Sequence, residues 1–147
     1  MGEASTIAGA VVAALFALAG GLGAWRWYRV ETSRAFWVLL RVAQAALAGY
    51  VVLVGVLVAT GRRPDDDLFY VYALLPVGVS FVAEQLRIAA ADTVLAARDL
   101  PDAQAVGRLD EAGQRSVVTA ILRRELGVMA VAALVIAGML VRAATSA

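Results

Sequence analysis

Arg41 and Glu84 are the residues of this 147-residue chain best placed to do chemistry, because each stands inside an otherwise apolar run. An ionisable group in such a place costs several kcal/mol unless it is paired or wetted, so it marks a functional or structural site by default. Arg41 lies six residues into the run Ala35–Thr60, about 9 Å along a helix that rises 1.5 Å per residue. Glu84 lies sixteen residues into the run Leu68–Ala91, about 24 Å along, which leaves about 6 Å to the far edge of a hydrocarbon core about 30 Å thick. The two depths agree if the runs form an antiparallel hairpin. Gln44 is one turn deeper than Arg41, Gln85 and Arg87 flank Glu84, and Glu125 opens the last run near the same level. The expectation is an Arg41–Glu84 pair, surrounded by Gln44, Gln85, Arg87 and Glu125 and buried between helices. One reading is structural: the cluster fixes helix register and partner choice, with Arg41 and Arg87 partly snorkelling to the headgroups. The other is a proton or ion relay, or a lipid- or quinone-headgroup site, with Glu84 as the titrating group. Conduction would need a polar lane, and apart from Ser80, tyrosines and helix ends the outer half of each run has none.

Other chemistry is closed by composition. There is no Cys and no His, and all thirteen basic residues are Arg. The chain therefore has no thiol redox pair, haem-ligating His, cluster-ligating Cys or standard zinc site, and no Lys for a Schiff base or a P-loop. Asp65, Asp66 and Asp67 stand together and could bind a divalent cation, a hard ion that prefers oxygen ligands. The simpler reading of that triplet is a capped helix in a solvated turn. No catalytic motif stands out, so neither enzyme activity nor a cofactor or metal is expected. Missing Lys and Asn in a chain rich in Ala, Val, Arg and Gly points to a GC-rich bacterial genome.

The elements that must carry these residues are four apolar runs, roughly Ala4–Trp25, Ala35–Thr60, Leu68–Ala91 and Leu122–Val141. About 20 apolar residues are what a helix needs to cross a bilayer, and 62% of the chain is hydrophobic. The expected fold is all-α: one integral-membrane four-helix bundle spanning residues 1–147, up-down-up-down. The first run lacks a positive flank before it and reads as a retained span rather than a signal peptide. Arg26, Arg29, Arg34, Arg98, Arg108, Arg115, Arg123 and Arg124 fall in the links on one side, against Arg62, Arg63 and Arg142 on the other. Such a bias sets orientation. The Arg-rich links should be cytoplasmic, with both termini outside, in a multi-pass protein of a bacterial inner membrane. Trp25, Trp27, Tyr28, Phe36 and Trp37 would form the inner aromatic belt, and Phe69, Tyr70 and Tyr72 the outer one.

In the outer link, Pro64 should stop the second span and Asp67 should cap the third. The third span should run on as helix through Ala97, and Leu100-Pro101-Asp102 should break it, with Pro101 in the first turn of a new short helix. Residues 92–121 form the expected cytoplasmic amphipathic segment. Within it Val117, Val118, Ile121 and Leu122 make an apolar stripe leading into the fourth span. That stripe is most simply an interfacial helix on an anionic leaflet, and more sharply a docking face for a soluble partner. The segment Glu84–Glu125 also carries seven acids, so nucleic acid is not expected as a partner.

Gly9, Ala13, Ala17 and Gly21 form an i+4 ladder of small residues in the first run, echoed by Ala45/Gly49 and Ala133/Ala137. Such ladders let helix backbones approach closely in lipid. The ladder could meet the same chain, a second copy or another protein. Pro76 and Gly78 in mid-span shape packing or supply a kink. The stretches Leu74-Leu75-Pro76, Ala83-Glu84-Gln85-Leu86-Arg87, Gln114-Arg115-Ser116-Val117-Val118 and Arg123-Arg124-Glu125 resemble a group of small uncharacterised four-span proteins of actinobacteria. That resemblance covers about the second half of the chain. It implies the four-span architecture and a bacterial inner membrane, and it brings no activity with it. The function expected is that of a non-enzymatic accessory, scaffold or assembly subunit of an inner-membrane complex, with the bilayer and other subunits or a second copy as partners. The alternatives are a small oligomeric transporter or channel with Glu84 and Arg41 in its path, or a lipid- or quinone-binding membrane protein.

Overall fold

The computed structural model describes residues 2–146, so the first and last positions of the expected domain lie outside it; 84% of the described residues are helical, and no strand occurs among them. Six helices follow one another: α1 (Glu3–Arg29), α2 (Arg34–Ala59), α3 (Leu68–Ile88), α4 (Ala90–Ala97), α5 (Ala103–Gly107) and α6 (Glu111–Thr145). Four of them, α1, α2, α3 and α6, are long and apolar enough to cross a membrane.

The ends of these helices are set by local hydrogen bonding, and at several of them the residue responsible is not the one expected. At the end of α2, Arg62 N–H donates to the Leu57 carbonyl and Gly61 N–H to that of Val58, both at 3.0 Å, with Gly61 at φ +86°. This is a Schellman stop, which needs a left-handed residue and therefore favours glycine. Gly61, not Pro64, ends the helix. At the start of α3, Asp67 makes no side-chain cap, and Asp66 Oδ1 accepts from Leu68 N–H at 2.9 Å instead. The α3 helix does not run unbroken to Ala97; it yields at Ala89, where Thr93 Oγ1 donates to the Ala89 carbonyl at 2.9 Å. The backbone bonds from Ala89 N–H to Gln85 and from Thr93 N–H to Ala89 persist at 3.0 Å, so the interruption is confined to one turn residue. Pro101 lies just ahead of α5 rather than in its first turn, because Asp102 is the residue that caps it, accepting from Ala105 N–H at 2.9 Å.

The α1 helix ends in a second Schellman stop, with Glu31 N–H donating to the Arg26 carbonyl at 3.0 Å and Val30 at φ 54°. A β-branched residue is strained there by about 1–2 kcal/mol. Glycine would relieve the strain and give back about 0.5–1 kcal/mol through its freer unfolded state. Val30→Gly should therefore raise the thermal midpoint in detergent by about 2 °C. An unchanged or lower midpoint would show that the half-exposed Val30 side chain contributes more by packing than it costs in strain.

The 35-residue α6 replaces the expected sequence of interfacial helix and span. Asp110 Oδ1 caps it by accepting from Gly113 N–H at 2.8 Å, and no breaker interrupts it before Thr145. At 1.5 Å per residue it is about 50 Å long, well beyond the thickness of a hydrocarbon core. Val117 on its first turns is buried, as are Ala90 and Val94 of the neighbouring α4, whereas Val118 and Leu122 are exposed. The expected apolar stripe is thus split: one edge packs within the chain and the other stays open.

Helices α1 and α6 form the tightest contact of the bundle, with α2 lying against α1 and α3 against α6. The buried face of α1 is Gly9, Ala13, Phe16, Gly20 and Gly23, a spacing that alternates four and three residues. Gly9 meets Tyr50 of α2, Gly20 meets Leu134 of α6, and Gly23 meets both Phe36 of α2 and Ala130 of α6. Of the expected ladder, Gly9 and Ala13 face inward within the chain, while Ala17 and Gly21 are exposed on its surface. A strict i+4 repeat drifts by about 40° per step on a helix of 3.6 residues per turn, whereas alternating steps of four and three stay on one face. Ala133 and Ala137 are buried, but Ala45 and Gly49 are exposed. Two belt aromatics are core residues instead: Phe36 and Phe69 are fully buried, edge-on to Trp37 at 5.0 Å and Tyr70 at 6.0 Å respectively. Pro76 is buried within α3, whereas Gly78 is exposed.

Candidate functional site

Two matched stripes make the site. On α2, Trp37, Arg41 and Gln44 stand at i, i+4 and i+7; on α3, Ser80, Glu84 and Arg87 do the same. Residues at that spacing share one helix face. Arg87 meets Trp37, Arg41 meets Glu84, and Gln44 meets Ser80, so each rung of one stripe finds a rung of the other.

Glu84 is the hub. Its Oε1 accepts from Arg41 Nη1 at 2.6 Å and from Gln44 Nε2 at 3.0 Å. Its Oε2 accepts from Arg87 Nε at 2.9 Å, with Arg41 Nη2 more distant at 3.5 Å. Arg41 Nη1 also donates to Gln44 Oε1 at 2.6 Å, and Gln44 Nε2 reaches Ser80 Oγ at 3.2 Å. The guanidinium of Arg87 sits 5.6 Å from the centre of the Trp37 ring. A carboxylate offers about four acceptor positions, and here donors occupy all of them. The arrangement can clamp α2 to α3, two helices that otherwise hardly touch.

The clamp differs from the expected cluster in membership and in burial. Gln85 and Glu125 are outside it: no side-chain hydrogen bond or ion pair reaches either among the described residues. Gln85 points about 100° away from Glu84 around the helix. The cluster is also not buried between helices. The Arg41 side chain is 52% exposed, against 20% for Glu84 and 28% for Arg87. The cause is the packing order, because α2 leans on α1 and α3 on α6, which leaves the α2/α3 seam open. Ser80 and Trp37 were not anticipated as members, although their i−4 positions relative to Glu84 and Arg41 carried the signal.

Two guanidiniums against one carboxylate leave the clamp with a surplus positive charge on its exposed edge. Exposed Val38 and Val42 on α2 and Val77 and Phe81 on α3 surround it. Beyond Gln44 and Ser80 the same faces continue with Leu47, Pro76 and Ala73, so the polar lane stops at that rung. Among the described residues no group of three or more acidic side chains is placed to hold a metal ion, and Asp65, Asp66 and Asp67 are exposed. No protein-family model, curated protein or solved structure matches this chain.

Proposed function

We propose that the chain is a non-enzymatic accessory or assembly subunit of a bacterial inner-membrane complex, docked through its α2/α3 face. The bundle crosses the membrane up-down-up-down, with both termini outside and the Arg-rich links in the cytoplasm. The eight-to-three arginine bias supports that orientation. Contacts that run in opposite senses support the topology: Gly9–Tyr50 and Gly23–Phe36 for α1 and α2, Gly20–Leu134 and Gly23–Ala130 for α1 and α6, Arg41–Glu84 and Gln44–Ser80 for α2 and α3. The likeness to small actinobacterial four-span proteins is in keeping with this setting.

One observation carries the docking role: Arg41 is half-exposed among the exposed apolar side chains Val38, Val42, Val77 and Phe81. A cation facing hydrocarbon is costly, and an acceptor on a neighbouring subunit removes that cost. The filled acceptor shell of Glu84 and the polar lane that ends at Gln44 and Ser80 speak against a conducting path through one chain. Extraction from native membranes in mild detergent tests the reading. Stoichiometric membrane subunits should co-purify with the wild-type chain. A lone homo-oligomer that catalyses pH-dependent uptake in liposomes would replace this reading with the transporter one.

A further inference from the structure

The arginine-rich end of the bundle holds a groove that meets the clamp only at Trp37 and Arg41. Its mouth lies between the end of α1 and the first turns of α6, a hollow of about 720 Å³ lined by Arg98, Arg115, Arg123 and Arg124 beside Trp27. No acidic residue lines that mouth. Arg123 stacks on the Trp27 ring at 4.6 Å and Arg98 donates to Ser116 Oγ at 2.8 Å, so both guanidiniums are held in place. Arg115 pairs with Glu111 at 3.3 Å, but both side chains are largely exposed. Arg124 has no side-chain hydrogen bond or ion pair among the described residues.

Beside the mouth lie two further hollows, each sharing lining residues with the next. Trp27 and Arg123 also line a second hollow of about 90 Å³ that reaches Trp37 and Leu122; its one acid, Glu31, is paired with Arg26 at 2.6 Å. Trp37 and Leu122 in turn border a trough of about 740 Å³ along α2, walled by Val38, Val42 and Ala45, with Arg34 and Arg41 at its sides. Ala45 is about 16 Å along α2 from its first residue at 1.5 Å per residue. Charge gathers at one end, and an apolar wall interrupted by Arg41 follows for about the depth of one leaflet, half of a core about 30 Å thick. A soluble anion would use the mouth alone, whereas the whole groove has the shape of an amphiphile.

We propose that this groove binds one anionic phospholipid, with its phosphate among the four arginines and an acyl chain along Val38, Val42 and Ala45. Guanidiniums match phosphate oxygens in a bidentate fork, and Trp27 stands where an interfacial indole is favoured. The inference does not rest on the docking role of the α2/α3 clamp, but its trough shares Val38, Val42 and Arg41 with that face, so a docked subunit would cover the acyl chain.

Native mass spectrometry of the full chain in mild detergent tests it, with phosphatidylglycerol and phosphatidylcholine of identical chains as probes and glycerol 3-phosphate as the soluble competitor. One phosphatidylglycerol per chain should be retained in preference to phosphatidylcholine. Each arginine near a charged headgroup is worth about fivefold in binding, so Arg115→Gln/Arg124→Gln should weaken phosphatidylglycerol about 20- to 30-fold and leave phosphatidylcholine unchanged. Both residues are exposed, which keeps folding out of the readout. Ala45→Trp, which fills the exposed trough without changing charge, should release the lipid too. Equal retention of the two lipids, or an unaltered arginine variant, would overturn the site. Displacement by glycerol 3-phosphate, with Ala45→Trp silent, would overturn the lipid and assign the mouth to a soluble phosphate ester.

Discussion

Replacing Glu84 with Ala should lower the stability of the bundle by about 2–3 kcal/mol, because it strands Arg41 and Arg87 without their acceptor. The figure lies below the 3–5 kcal/mol typical of breaking a fully buried pair, since Arg41 is 52% exposed and can turn toward the headgroups. Glu84→Gln should fall in the same direction by less, as the amide keeps one acceptor oxygen but turns an N–H₂ toward the guanidiniums. Arg41→Met/Glu84→Leu/Arg87→Met should recover most of the loss, because an ion triad replaced whole by apolar residues of similar volume often costs little, whereas leaving Arg87 would strand it. The readout is the thermal midpoint and the monodisperse yield in detergent. Full yield and an unshifted midpoint for Glu84→Ala would remove the clamp from the account.

Gly23→Leu should abolish the folded bundle. A Cβ built at Gly23 would lie 2.5 Å from the Phe36 ring and 2.9 Å from Ala130 Cβ, so even Ala forces α1 away from two neighbours at once. Overpacking of this kind costs about 1–3 kcal/mol for modest additions and more for a whole side chain, and lipid offers no hydrophobic compensation between helices. Gly21→Leu is the matched control, two positions away in the same helix, because nothing lies within 4 Å of its Cβ. Normal yield for Gly21→Leu and loss of a monodisperse peak for Gly23→Leu is the expected pair of results. The reverse pattern would mean that α1 packs through the i+4 ladder after all.

The contrast between Gly21 and Gly23 also shows what the sequence could and could not reveal. Run lengths and charge gaps were enough to place all four long helices, since 20 or more apolar residues have few other uses. The Arg41–Glu84 meeting was legible from depth alone, and the stripes 37/41/44 and 80/84/87 would have added Trp37 and Ser80. Which small residues face inward was not legible, because the packing seam alternates four and three, a period that only the partner helix selects. The exposure of the clamp was hidden for a similar reason. It follows from α1 and α6 forming the central pair, a choice made by Gly20 and Gly23 against Leu134 and Ala130 rather than by any residue of the clamp. Helix stops were misassigned where two signals competed, as at Gly61 and Pro64, and the earlier breaker along the chain acted first.

The triple variant Arg41→Met/Glu84→Leu/Arg87→Met separates the clamp's two roles, since it keeps the seam filled while erasing the surplus charge that Arg41 and Arg87 carry against Glu84. The decisive measurement is the native mass of the particle extracted with this variant, set beside that of the wild-type particle. A folded four-span monomer, as heat-stable as the parent but stripped of its stoichiometric companion subunits, is the outcome that the docking account requires. A particle of undiminished mass and composition would contradict it and leave the seam as mere internal fastening.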